Sequence, residues 1–312
     1  MARRARSSPA LPAVAPQANH RCGFVTLLGR PNVGKSTLTN ALVGVKVAIV
    51  SPKPQTTRTR LLGIRTFPEA QVIFVDTPGI HRHEGSLLNK RMVDVALAAV
   101  QDTDVAVFMI DAQRGILPDD EAIARRLAES KPPILVVLNK IDLLPRPALL
   151  PLFERMAALL PEREIVPVSA RSGENTQDLL NTIRAALPEG PALYPDDELT
   201  DQSERVIAQE FIREQLFRVT HQEVPYSTAV VIEEFHEREE RPLLTIRAVI
   251  YVERPSQRVI ILGERGSRLK EIGQQARKQL EAFFGCKIFL GLFVKVVKGW
   301  TNRPGILHEL GL

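Results

Sequence analysis

Residues 29–36 read GRPNVGKS, a G-x-x-x-x-G-K-[ST] loop between a short apolar run at 24–28 and a helix-like run beginning KSTLTNALVG. Such a loop needs a strand to deliver it and a helix to leave it. Its glycines let the backbone wrap phosphate oxygens while successive N–H groups and the helix N-terminus point at the negative charge. The candidate nucleotide-binding residues here are Gly29, Asn32, Val33, Gly34, Lys35, Ser36 and Thr37. Lys35 is placed to reach the β and γ phosphates, and Ser36 to ligate Mg²⁺.

Three more strand ends carry polar residues of the same kind. VIFVDTPG (72–79) ends on Asp76, suited to hold Mg²⁺ through water, and on Gly79, whose amide can contact a γ phosphate. VLNKID (137–142) supplies Asn139, Lys140 and Asp142, and VSA (168–170) supplies Ser169 and Ala170. Ligands of open α/β sheets bind at the C-terminal ends of strands, so all four motifs belong to one site. A carboxylate at Asp142 can accept two hydrogen bonds from the ring N–H and exocyclic amine of guanine, which adenine cannot supply in that arrangement. GTP and GDP are therefore the expected nucleotides, and a metabolic P-loop kinase would have no use for NKID.

From Gly23 to Pro188, β-branched runs (FVTLLG, VIFVD, VAVFMID, ILVVLN, IVPVS) alternate with helical patterns. That alternation predicts a mostly parallel sheet with helices on both faces. PEGPALYPDDEL then stops any regular element and reads as a linker. Beyond it the order predicts a helix at about 201–220, strands YSTAVVIEEF and LLTIRAVIYVE, a short strand RVIILG with residues 258–262 at its centre, a GERG turn, a helix, and a strand KIFLGLFVKVVK. The expected organisation is an arm at 1–20, an α/β domain at 21–190, a linker at 191–200 and a smaller α+β domain with a C-terminal tail at 201–312.

The arm is basic and free of acids, with prolines at 9, 12 and 16 that break any secretory apolar core; it reads as disordered, with an organellar transit peptide as the alternative. No run approaches the roughly 20 apolar residues of a membrane span. Cys22 and Cys286 have no partner at metal-ligand spacing, which favours a reducing cytosol and no zinc site.

Charge divides the second half of the chain. Residues 196–240 hold 4 basic and 13 acidic residues, whereas residues 241–312 hold 13 basic and 5 acidic. The basic body points to a polyanion. Its G-x-x-G, Gly263, Glu264, Arg265 and Gly266, matches the loop with which KH domains clamp single-stranded nucleic acid, and Arg268, Lys270, Arg277 and Lys278 follow on the next helix. These eight are the candidate RNA-binding residues. Ile260, Ile261 and Ile272 are expected as apolar support for bases, whereas Trp300 and Phe293 suit a core or a stacking platform equally.

In their order these motifs resemble those of the bacterial Era-type GTPases, over nearly the whole chain from 22 to 310: GRPNVGKSTLTNALVG, SPKPQTTRTRLLGI, VDTPGIH, NKID, VSA, YVERPSQ, GERGSRLKEIG, ARKQLE and VKVVKGW. The resemblance implies an α/β P-loop GTPase domain followed by a type II KH domain. It implies that Thr57, with Thr56 as the alternative, senses Mg²⁺ and γ phosphate. The metal set is then Ser36, Thr57 and Asp76, and the catalytic set Lys35, Thr57, Gly79 and Asn32. Where the best-known small GTPases place a water-orienting glutamine, this chain has Ile80, which offers no hydrogen bond. In several relatives the equivalent of Asn32 helps hold K⁺, so slow Mg²⁺-dependent hydrolysis with K⁺ as a candidate stimulant is expected. His81 and His83 read as solvated loop residues, and Asp119 and Asp120 as a pair complementing a helix dipole. The implied partners are the 3′ end of 16S ribosomal RNA and the 30S subunit precursor. The implied protein is a cytoplasmic monomer, with inner-membrane contact no more than peripheral. An RNA chaperone gated by GTP, with negligible turnover, is the alternative.

Overall fold

The computed structural model describes residues 20–51, 61–77, 79, 102–220, 224–225, 227–237, 243–303 and 305. Thr56, Thr57, Ile80, His81 and His83 lie outside them.

The first part is a six-stranded sheet in the order β2-β3-β1-β4-β5-β6. Its strands are β1 (Arg21–Leu28), β2 (Leu61–Phe67), β3 (Ala70–Asp76), β4 (Val105–Asp111), β5 (Ile134–Asn139) and β6 (Glu164–Val168). Neighbours from β3 to β6 pair parallel, as the alternating sequence pattern predicts. β4 shows why its sequence is apolar at every position: Val105, Val107 and Met109 enter the core on one face, and Ala106, Phe108 and Ile110 the core on the other. Helices α1 (Lys35–Val43) and α4 (Thr176–Ala186) cover the first face; α2 (Pro118–Ala128) and α3 (Leu150–Leu159) cover the second.

β2 is the element the sequence pattern does not announce. LLGIRTF pairs antiparallel with β3 at the sheet edge, and its alternation is blurred because its first four residues are all buried. The linker covers that edge: the Ile64 N–H donates to the Leu199 carbonyl (2.9 Å), and the buried Gln71 side chain donates to the Tyr194 carbonyl (2.8 Å) while accepting the N–H groups of Leu193 and Tyr194. The Pro- and Gly-rich stretch is thus strapped to the sheet, and a bare edge is closed.

The second part has helix α5 (Glu204–Val219), strands β7 (Thr228–Glu237) and β8 (Leu243–Val252), helices α6 (Pro255–Leu262) and α7 (Ser267–Phe284), and strand β9 (Lys287–Val296). β7 and β8 are antiparallel, β8 and β9 parallel. The expected short strand RVIILG is a helix. Pro255 sits in its first turn, and the Gln257 side chain accepts the N–H groups of Glu253 (2.9 Å) and Arg254 (3.0 Å), capping a turn that the β-branched run alone disguises. Ile261 is buried by the helical register while Val259 and Ile260 are left exposed.

Helix α5 shows no single apolar face because its middle, Phe211–Phe217, is buried all round, polar Arg213, Glu214 and Gln215 included, while Glu204, Arg205 and Arg218 near its ends are exposed. Ile207, Phe211, Ile212 and Leu216 join the core of the second part, which also takes in Ile49 from the segment after α1. Glu214, fully buried, joins the two parts: it accepts from Lys46, from the Val50 N–H (3.2 Å) and from Arg218 (3.1 Å).

Candidate nucleotide site and glycine turn

The 29–36 loop leaves the end of β1, which is flanked by β3 and β4, so chain crossovers diverge to either side and open a crevice there. Gly29, Asn32 and Gly34 all have positive φ (143°, 65° and 104°). A Cβ at Gly34 would collide with the Asn139 amide, so this backbone conformation admits no larger residue. Asn139 in turn donates to the Val33 carbonyl (2.8 Å) and accepts the Ala170 N–H (3.0 Å). Lys140 donates to the Asn32 carbonyl (2.7 Å) and to Asp111 (2.6 Å). The NKID motif therefore braces the phosphate loop from behind before any ligand is considered.

Lys35 is buried, and its ammonium donates to the Gly29 and Arg30 carbonyls, both at 3.1 Å. Desolvation lowers its pKa from 10.5 to about 8, against the pull of the nearby Asp76 charge. Ser36 Oγ donates to Asp76 at 2.6 Å, bringing a hydroxyl and a carboxylate to one point at the end of β3. Thr77 anchors the following turn to the Leu27 carbonyl (2.8 Å), and Gly79 lies so close to Pro31 that a Cβ there would stand 2.7 Å from its nitrogen. A pocket opens over these groups, lined among others by Asn32, Gly34, Lys35, Ser36, Thr37 and Gly79. Val50 and Ser51 share its wall, so the Glu214 joint reaches the pocket lining itself through the Val50 N–H.

Asp142 is exposed and held in place by the buried Ser169, whose hydroxyl donates to it at 2.6 Å. Ser169 and Ala170 thus position Asp142 and Asn139 through their own hydrogen bonds. Two supporting pairs escape motif reading. Asp111 ends a strand just as Asp76 and Asn139 do, and that position was the available signal. Arg30 Nε donates to Asp120 (2.8 Å), and both side chains are nearly or fully buried. Asp120 also accepts the Leu117 N–H (3.0 Å), so it caps α2 and ties it to the phosphate loop; the expected dipole role is the smaller part of its function.

Gly263–Gly266 joins α6 to α7. Gly263, Arg265 and Gly266 have positive φ of 67°, 49° and 79°, the last two in the left-handed conformation. A Cβ at Gly266 would meet nothing within 4 Å. Beside the turn lies a groove of about 440 Å³ lined by Gly266, Lys270, Gly273, Arg277, Leu290 and Leu292 among others. Glu264 and Arg265, just before Gly266 in the chain, are exposed and outside the groove lining. Arg268 donates to the Ile260 carbonyl, bracing α6 against α7, and Lys278 is exposed but outside the groove lining. Ile261 and Ile272 are fully buried core residues and cannot support bases; only Ile260 of the three is exposed. The groove floor comes instead from Leu290 and Leu292 on β9.

Comparison with known proteins agrees with this division. Residues 24–140 match the 50S ribosome-binding GTPase family, and residues 223–301 match the KH domain family. GTPase Era of Geotalea daltonii is 49% identical over 289 residues, covering 93% of this chain and 97% of the relative. GTPase Era of Azotobacter vinelandii is 44% identical over 292 residues, covering 93% and 96%. Among solved structures, Era in complex with MgGDPNP and nucleotides 1506–1542 of 16S ribosomal RNA superposes with a TM-score of 0.90 at 44% identity, covering 94% of this chain and 99% of that one. A point variant of Aquifex aeolicus Era bound to GDP·AlF4⁻ gives 0.89 at 43% identity, covering 93% and 99%.

Proposed function

This chain belongs to the GTPase Era family, and from that premise we propose that it is a GTP-hydrolysing switch whose KH domain engages the 3′ end of 16S ribosomal RNA during 30S subunit assembly. The observation that carries the reading is the convergence of Lys35, Ser36–Asp76, Asn139 and Asp142 at one end of the sheet. We assign 21–190 to the GTPase domain, 191–200 to the linker and 201–312 to the KH domain with its tail. The compartment that suits this work is the cytoplasm. No helix of the described residues is long and apolar enough to cross a membrane, so contact with the inner membrane would be peripheral.

In this reading the amides of Asn32 to Thr37 receive the phosphates. Lys35, already stripped of water, exchanges its carbonyl partners for phosphate oxygens. Ser36 and Asp76 fit a hard cation: an oxygen pair of this kind, completed by phosphate oxygens and water, suits Mg²⁺, which supplies charge neutralisation at the transferring phosphoryl group. Gly79 and Thr57 sense the γ phosphate. Asp142, fixed by Ser169, reads guanine. Ile80 cannot orient water, so intrinsic turnover is slow, and Asn32 is the candidate ligand for a K⁺ ion whose charge would act on the phosphates. The RNA set is Gly263 to Gly266 with Arg268, Lys270, Arg277 and Lys278, the lysines and arginines acting on phosphates.

Turnover measured in K⁺ and in Na⁺ buffer with Mg²⁺, with and without RNA spanning nucleotides 1506–1542, tests this. Stimulation by that RNA and not by a scrambled one is expected. RNA binding with no multiple turnover under any condition would favour the chaperone alternative that Ile80 motivates, and equal rates in the two salts would remove the role of K⁺.

A further inference from the structure

The two aromatic residues that sequence left ambiguous separate in the structure. Trp300 is fully buried against Ala229, with Val231 and Tyr251 around it, and its indole N–H donates to the Ser227 carbonyl (2.9 Å). Phe293 is 59% exposed, and Phe289 on the same strand is 47% exposed. Residues of a strand alternate in direction. Ile288, Leu290, Leu292 and Val294 turn toward the helices and core, and Leu290 and Leu292 line the RNA groove. Phe289, Gly291, Phe293 and Lys295 therefore turn to the opposite face of the sheet.

We infer that this outer face, centred on Phe289 and Phe293, is a second surface for single-stranded RNA, on which bases stack once the strand has rounded β9 from the groove. The inference rests on the RNA reading above. Among the described residues β9 is an edge strand of its sheet, so only its own width separates groove from outer face. The two rings stand about 13 Å apart along the strand. Gly291 lies between them and leaves a notch walled by the Arg247 stem and the Phe289 ring, at 3.5 and 3.7 Å from where its Cβ would be.

The surrounding charge selects the occupant. From Lys287 to Arg303 the chain has four cations, Lys287, Lys295, Lys298 and Arg303, and no acid. Arg247 lies across from Gly291 in the pairing register. Glu234 pairs with Arg247 (3.2 Å) and Glu281 with Lys287 (3.8 Å), so the surplus positive charge falls to Lys295, Lys298 and Arg303. Exposed rings among cations match the stacking platforms that hold single strands regardless of sequence. A second copy of the chain would bring like charge against like.

The test compares full-length wild type with Phe289→Ala/Phe293→Ala and with Phe289→Leu/Phe293→Leu, which keeps apolar cover but removes the rings. Binding is measured for labelled RNA of about four nucleotides, the length a KH groove clamps, and for RNA spanning nucleotides 1506–1542. Both variants should bind the short RNA as wild type does and lose about tenfold or more on the long one. Unchanged long-RNA binding, or loss only in the alanine variant together with weakened short-RNA binding, would overturn the inference while leaving the groove intact. Wild type that binds neither RNA would overturn the RNA reading itself. A concentration-dependent dimer abolished by the alanine variant, with RNA binding unchanged, would identify the face as a contact between copies.

Discussion

The molecule uses two glycine loops ahead of helices, at 29–36 and 263–266, and they are built in opposite ways. The first is braced: Asn139 and Lys140 hold its carbonyls, Lys35 is buried beneath it, and a Cβ at Gly34 has nowhere to go. The second is packed only at its start, where Gly263 abuts Arg268, and is open beyond it: Gly266 faces empty space and Glu264 and Arg265 are exposed. A ligand of fixed shape rewards a rigid cradle, whereas a polymer of variable sequence needs an accessible backbone and loosely placed charge. Glu214 on α5 links the two parts, accepting from Lys46 and from the Val50 N–H.

The sharpest break in that comparison is expected at the base. Asp142→Asn replaces an acceptor by a donor where guanine presents N–H groups and xanthine a carbonyl, so preference should move from GTP toward XTP by about 10⁴-fold. Competition binding measures it, and unchanged GTP affinity would remove Asp142 from the base site.

Gly34→Ala and Gly266→Ala put the same methyl in both loops. At Gly34 it meets both the Asn139 amide and an unfavourable φ, and the loss should exceed about 2 kcal/mol in nucleotide affinity or urea stability. At Gly266 only the backbone conformation opposes it, at about 1 kcal/mol, with RNA affinity falling slightly. Equal effects would show that the second loop is as tightly braced as the first.

Replacing Glu264 and Arg265 by aspartates should weaken RNA binding about tenfold through lost phosphate contact and added repulsion. GTP affinity should be unaffected, and filter binding with both ligands separates the two. Survival of RNA binding would reduce the turn to a chain reversal.

A pH dependence is confined to the first loop. Lys35 has a folded pKa lowered to about 8 from 10.5, so without ligand it loses its proton as pH rises through 8. Phosphate needs the charged form; binding then takes up a proton, and GTP affinity should fall above about pH 8, approaching tenfold per pH unit at most. The unliganded fold behaves oppositely: the cost of burying the charge is present below pH 8 and relieved between 8 and 10.5, so its stability rises over that window. Titration calorimetry and thermal melts across about pH 7 to 10 check both signs.

The nucleotide site was legible because its chemistry is written in short contiguous motifs whose spacing the sheet preserves. Asp111 and Arg30–Asp120 were not, since each acts through a partner far away in the chain. In the second part, the run at 258–262 predicts a strand because Val259, Ile260 and Ile261 look alike in sequence; the Gln257 cap and the burial of Ile261 alone make it part of a helix. β2 escaped for a related reason, its early residues being buried on both faces beneath α1 and the linker.

By itself the sequence determined the parallel core, the phosphate loop, the place of Asp142 in an NKID motif and a basic region carrying a G-x-x-G turn. These follow from local rules: alternation of strand and helix, glycine where φ must be positive, and charge type by position. Tertiary structure alone decided that Ile49 and Glu214 join the nucleotide pocket to the KH core, that the linker seals β2, and that Trp300 is buried while Phe289 and Phe293 stay exposed. Those outcomes depend on which surfaces meet, and burial is a property of the packed whole that no short stretch of residues carries.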